Sequence, residues 1–135
     1  MPRAEMTGRR PAATLDAVIT GELPRGALEG VRRFNAGEFF EAHEAFEECL
    51  DEVEDDDRWA LLLGLIQVSV GYHKHTAGHP GAERMLRLGA EKLAPLPDVG
   101  WGVQVDALRR RVADDLAALA RGDAIAPSPR IGLGS

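Results

Sequence analysis

Residues 34–50, FNAGEFFEAHEAFEECL, join a helix-ending glycine to a second helix crowded with potential ligands. At about 100° per residue, with His43 set at zero, Glu47 falls at about 40°, Leu50 at about −20°, Phe39 at about −40° and Phe46 at about −60°. Phe40 stands on the margin of this face and Glu44 at its edge, while Glu41 and Glu48 lie on the far side. The helix has only one apolar face, so the pattern predicts that His43 and Glu47 point inward with the aromatic rings.

An imidazole and a carboxylate on a buried face need partners, because an unpaired buried polar group costs about 1–3 kcal/mol. A structural network satisfies them if they bond to each other and to a polar group on a neighbouring helix. A metal ion or an acid–base role satisfies them equally, and imidazole with carboxylate suits zinc, manganese, iron or nickel. Two familiar metal motifs are absent. HEAFE has Glu47 where the zinc-protease pattern needs a second histidine. The di-iron pattern Glu-x-x-His fails at all four histidines, which are preceded at that spacing by Phe40, Val70, Tyr72 and Thr76.

Working outward, residues 24–36 read as the first bundle helix. Pro24 suits its first turn, Leu28, Val31 and Phe34 or Asn35 line one side, and Gly37 can take the left-handed conformation that closes it. Residues 51–57, DEVEDDD, lack the glycine and ligand spacing of a calcium loop. They read instead as a solvated turn in which Asp55, Asp56 or Asp57 caps the next helix.

Residues 58–77 form the core helix, with WALLLGLIQVSVGY apolar on nearly every side. Such a helix is surrounded by others, and this one is too short and too interrupted to span a membrane. Gln67 is the lone polar residue in the run and the first choice of partner for His43 or Glu47. His73 lies near the same apolar face and is the best second-helix ligand or base. His75 points elsewhere, where a helix C-terminal dipole favours it, and His79 precedes the Pro80 that opens the following helix.

That helix runs to about residue 93, with Ala82, Met85, Leu86, Gly89 and Leu93 inside. Residues 94–102 read as a loop whose Trp101 seals one end of the bundle. The last helix, 103–121, repeats Val105, Leu108, Val112, Leu116 and Leu119 at helical spacing, and Arg109, Arg110 and Arg111 read as a solvated face. No strand pattern is legible.

The 135 residues fit one domain: a flexible segment over 1–22 with room for a short helix at 14–20, an all-α bundle of four to five helices over 23–121, and an extended tail over 122–135. A net charge of −6, without a basic stripe, argues against nucleic-acid binding. The single cysteine, Cys49, fits a reducing cytoplasm, and residues 1–10 have no apolar core of a signal peptide.

Three blocks, FNAGEFFEAHEAFEE, LLLGLIQVSVGYHK and AGHPGAERMLRLGAEKL, resemble in order the small all-helical family called domain of unknown function 309. Members are often labelled predicted metal-dependent hydrolases. The resemblance spans roughly residues 28–96 and implies an FN-x-G corner with the EAHE helix facing the GLIQ helix. It carries over Glu41, His43, Glu44, Glu47, Gln67 and His73 as candidate positions. The chain departs from the family at Lys74, where a second histidine is common, and at His79, where asparagine is common.

Two functional expectations follow. In the first, His43, Glu47 and His73 hold a divalent metal (zinc, manganese or iron) and Glu44 and Gln67 serve catalysis, with water activated by the ion. In the second, the chain is a non-enzymatic binding or assembly module whose polar cluster sets helix register. Exposed apolar surface near Phe40, Trp59 or Trp101 would then support a homo-oligomer. Neither expectation specifies a small-molecule ligand or substrate.

Overall fold

A computed structural model of the chain describes residues 21–134. Five helices account for most of it: α1 (Arg25–Asn35), α2 (Phe39–Leu50), α3 (Asp56–Ala77), α4 (Ala82–Leu93) and α5 (Val105–Ala120). The expected all-α bundle is present, with α3 at its centre. The segment 1–20, including the short helix expected at 14–20, lies outside the described residues. No described helix is long and apolar enough to cross a membrane.

Helix boundaries follow local chemistry. Gly37, at φ +82°, closes α1. Its amide bonds to Phe34 O and that of Glu38 to Arg33 O, which satisfies two terminal carbonyls and turns the chain straight into α2. Asp55 is the residue that caps α3, accepting from the Arg58 amide at 3.0 Å. Gly78, at φ +72°, ends α3 as Gly37 ends α1.

Helix α3 packs most extensively on α4 and next on α2, while α1 covers α2 and α5 covers α4. The α3–α4 seam is close because glycines form it. A Cβ on Gly71 would lie 2.7 Å from Leu86, and one on Gly64 would lie 2.7 Å from Leu93. A Cβ on Gly89 would meet Val68 at 2.6 Å and the Gly64 carbonyl at 3.1 Å. Phe34, Phe39 and Tyr72 meet at the other side of α3, with ring centroids 5.0–5.9 Å apart.

Several expected faces are rotated. Leu28 is 42 % exposed, and α1 instead buries Ala27, Gly30, Val31 and Phe34. The cause is Gly30, whose missing side chain lets Phe46 lie where a Cβ would stand, 2.6 Å away. On α4, Met85 is only half-buried. On α5, Leu116 and Leu119 are half-buried, and Asp115 and Ala118 take inner positions.

The absence of strands is also corrected. A hairpin pairs Val99 with Gln104 and Gly100 with Val103, and Val103 bridges to Leu133. Trp101 sits at its turn, buried, with the Arg58 guanidinium 5.3 Å above its ring. The tail returns along the bundle. Asn35 donates to Ile131 O at 3.0 Å and accepts from the Ile131 amide at 2.7 Å, and Ile131 is buried.

Candidate functional site

The buried stripe of α2 consists of Phe39, Ala42, Phe46 and Cys49. Its centre lies about 80° around the helix from His43, because the small residues Ala42 and Cys49 help define it. Two close approaches set this rotation. Phe46 fits over Gly30, and Cys49 fits over Gly26, where a Cβ would lie 2.9 Å from the sulfur. Glu47, placed inward by the sequence pattern, is therefore exposed, as are Glu41, Glu44 and Glu48. His43 stands at the margin, half-buried.

His43 nonetheless has a defined environment. Its Nδ1 lies 2.5 Å from Phe40 O. A carbonyl can only accept, so Nδ1 carries the hydrogen and Nε2 of the neutral ring keeps its lone pair. The Phe40 ring lies edge-on to His43 at 4.8 Å and tilted to His73 at 5.2 Å. The structure thus gathers His43, Phe40 and His73 on the surface between α2 and α3.

Gln67 does not join them. Six residues separate it from His73, which puts it about 120° further around α3. It sits towards the α4 flank, whereas His43 sits on the α2 flank. Its Oε1 is buried and has no hydrogen-bond partner among the described residues. The interhelical bond expected from Gln67 to His43 or Glu47 is not formed. Among the described residues, no three His, Cys, Asp or Glu side chains gather to hold a metal ion. Of the proposed set His43, Glu47 and His73, the two imidazoles flank Phe40, whereas Glu47 is exposed.

The polar cluster of the core is elsewhere. Asp115 on α5 is 2 % exposed and accepts from Tyr72 OH at 2.5 Å and from Arg111 Nε at 2.8 Å. Arg111 also donates to the tail carbonyls of Ala126 and Pro127. Burial, followed by the bond to Asp115, pushes the Tyr72 phenol well above its ordinary range. Arg109 is occupied too, donating to Leu93 O, Leu96 O and Asp98. Only Arg110 of the three arginines behaves as the solvated face expected of them all. A legible signal marked Asp115: it continues the inward row Val105, Leu108, Val112 at the next three-residue step.

An open cleft of about 380 Å³ lies between the α1–α2 corner, the end of α3 and the tail. Phe39, Tyr72, His75, Thr76, Pro127 and Pro129 line it, and none of the five predicted site residues does.

The outward side of α3 is the remaining unusual surface. Trp59 is 38 % exposed, Leu63, Gln67, Val70 and His73 are half-buried, and Phe40 of α2 adds a ring that is 45 % exposed. A central helix normally shows water a polar side; this one shows an apolar row.

No curated protein matches the chain. Residues 27–86 match the family model described as a domain of unknown function (DUF309), a span that holds most of α1, all of α2 and α3, and the first part of α4. Through this segment, which carries both the FN-x-G corner and the EAHE helix, the chain is similar to the DUF309 family.

Proposed function

We propose that the chain is an assembly module, a helical bundle that self-associates through the outward side of α3. The observation that carries this reading is the apolar row Trp59, Leu63 and Val70, extended by Phe40. Large apolar side chains left in water gain about 25 cal/mol for each Å² removed from it.

The two tryptophans permit a direct test, because Trp101 is buried and Trp59 is not. In a Trp101→Phe chain, Trp59 emission should shift to the blue as concentration rises, in step with a doubling of mass by light scattering. A Phe40→Gln/Trp59→Gln chain should stay monomeric with unfolding changed by less than about 1 kcal/mol. A wild-type monomer at every concentration, or a dimer indifferent to these substitutions, rejects the reading.

Hydrolytic chemistry at His43 is the second reading. It is favoured by one observation, the lone pair that the Phe40 carbonyl leaves on Nε2. That atom can accept a proton or a metal, with Glu44 on the next position of the helix. Metal analysis after incubation with zinc, manganese or iron tests it. Stoichiometric uptake that His43→Ala abolishes supports hydrolysis; no uptake by the wild type rejects a metal-dependent reaction.

A further inference from the structure

The outward row of α3 has a spacing that selects its partner. Trp59, Leu63, Ile66, Val70 and His73 follow one another at intervals of four, three, four and three residues. That is the repeat with which one helix packs along another like itself. Ile66, mid-row, is already nearly covered, while the residues on either side of it remain open.

We infer that the partner is a second copy of this chain, docked with the two α3 helices parallel and a two-fold axis running between them. This inference rests on the assembly reading above and adds the partner's orientation.

Size permits it. Twenty-two residues make α3 about 33 Å long, and with a helix on either side the layer offers up to about 900 Å² per protomer, near the half-interface of a stable complex.

Charge selects the orientation. Helix α2 carries Glu41, Glu44, Glu47 and Glu48 and no lysine or arginine. Helix α4 carries Arg84, Arg87 and Lys92 against Glu83 and Glu91. The two flank α3 on opposite sides: Phe40 of α2 touches His73, and α4 touches Gly64, Val68 and Gly71. With parallel α3 helices, the two-fold sets α2 of one copy over α4 of the other, acid over base. With antiparallel helices it sets α2 over α2, so that each glutamate row faces another.

The heights agree as well. Both flanking helices run antiparallel to α3. Phe40 stands level with His73, and Lys92 stands beside Gly64. Seven residues after Phe40, Glu47 is therefore about level with Ile66 and close to the height of Lys92 in the other copy.

Cysteine pairing tests the register in the full chain on a Cys49→Ala background. Under mild oxidation, Val70→Cys alone should form covalent dimers, and so should Leu63→Cys alone. A mixture of the two should yield few 63–70 cross-links. Separately, Glu47→Lys or Lys92→Glu should each weaken dimerisation by about tenfold, and the double substitution should restore it to within about threefold. Leu63, Val70 and Lys92 are half-buried and Glu47 is exposed, and circular dichroism should confirm that every variant folds. A dimer that links 63 to 70, or one whose double charge swap is no better than either single swap, overturns the parallel register and leaves assembly standing. A wild type that remains monomeric overturns both.

Discussion

Asp115 offers the sharpest test of the core. Its carboxylate is 2 % exposed and accepts from two donors on different elements, Tyr72 OH at 2.5 Å and Arg111 Nε at 2.8 Å. Asp115→Ala strands both. The phenol is 1 % exposed and has no water to turn to, which costs about 1–3 kcal/mol. The arginine side chain is 22 % exposed and keeps its bonds to the tail carbonyls, so its loss is smaller than the about 3–5 kcal/mol for a sealed ion pair. Together these give about 3 kcal/mol, against a total stability of about 5–15 kcal/mol for a domain. Urea unfolding followed by circular dichroism measures it. Tyr72→Phe should cost less, because Asp115 keeps Arg111. The double variant Tyr72→Phe/Asp115→Ala should cost less than the two single losses added, with a coupling of about 1–2 kcal/mol. If Asp115→Ala unfolds within about 0.5 kcal/mol of wild type, the cluster does not hold α3 to α5.

Tyr72 is the only tyrosine, and its pKa is raised, so the folded state favours the neutral phenol. Its contribution is fully present below the unfolded value of about 10 and is lost as pH rises above it; unfolding free energy should fall above about pH 10 in wild type, and less steeply in Tyr72→Phe. Burial, then Glu52 and Glu48, pushes the Cys49 thiol up. Alkylation at neutral pH, followed by mass spectrometry, should be at least about 100-fold slower in the native chain than in denaturant. Gly89→Ala gains about 1 kcal/mol of helix propensity but drives a methyl against Val68 and the Gly64 carbonyl. A net loss of about 1–3 kcal/mol in thermal unfolding is expected, and a stabilised variant would mean that α3 and α4 part easily.

The architecture was legible because its punctuation is local. Gly37, Asp55 and Gly78 end or begin helices by chemistry that involves only their neighbours in sequence. Rotation of a helix about its own axis is not local. The inward face of α2 depends on which small residues face glycines on α1, and Ala42 and Cys49 carry too little apolar weight to reveal it. That one rotation left Glu47 exposed and His43 half-buried at the margin. His43 and His73 were still read onto neighbouring surfaces, because both lie within a turn of Phe40 in space. The hairpin escaped notice since two-residue strands have no alternation to detect. Asp115 escaped for a different reason: an acid on an apolar row was left out of the row, when its place in the row was the clue.

The paired bonds between Asn35 and Ile131 join positions 96 apart in the chain. During synthesis Asn35 emerges while its counterpart has yet to be made. Helices α1 to α4 form contacts between sequence neighbours and can condense early, whereas this clasp waits for Ile131. The chain therefore matures in two stages, a nascent bundle and then a fastened one. In pulsed hydrogen exchange, the Ile131 amide should be among the last to acquire protection.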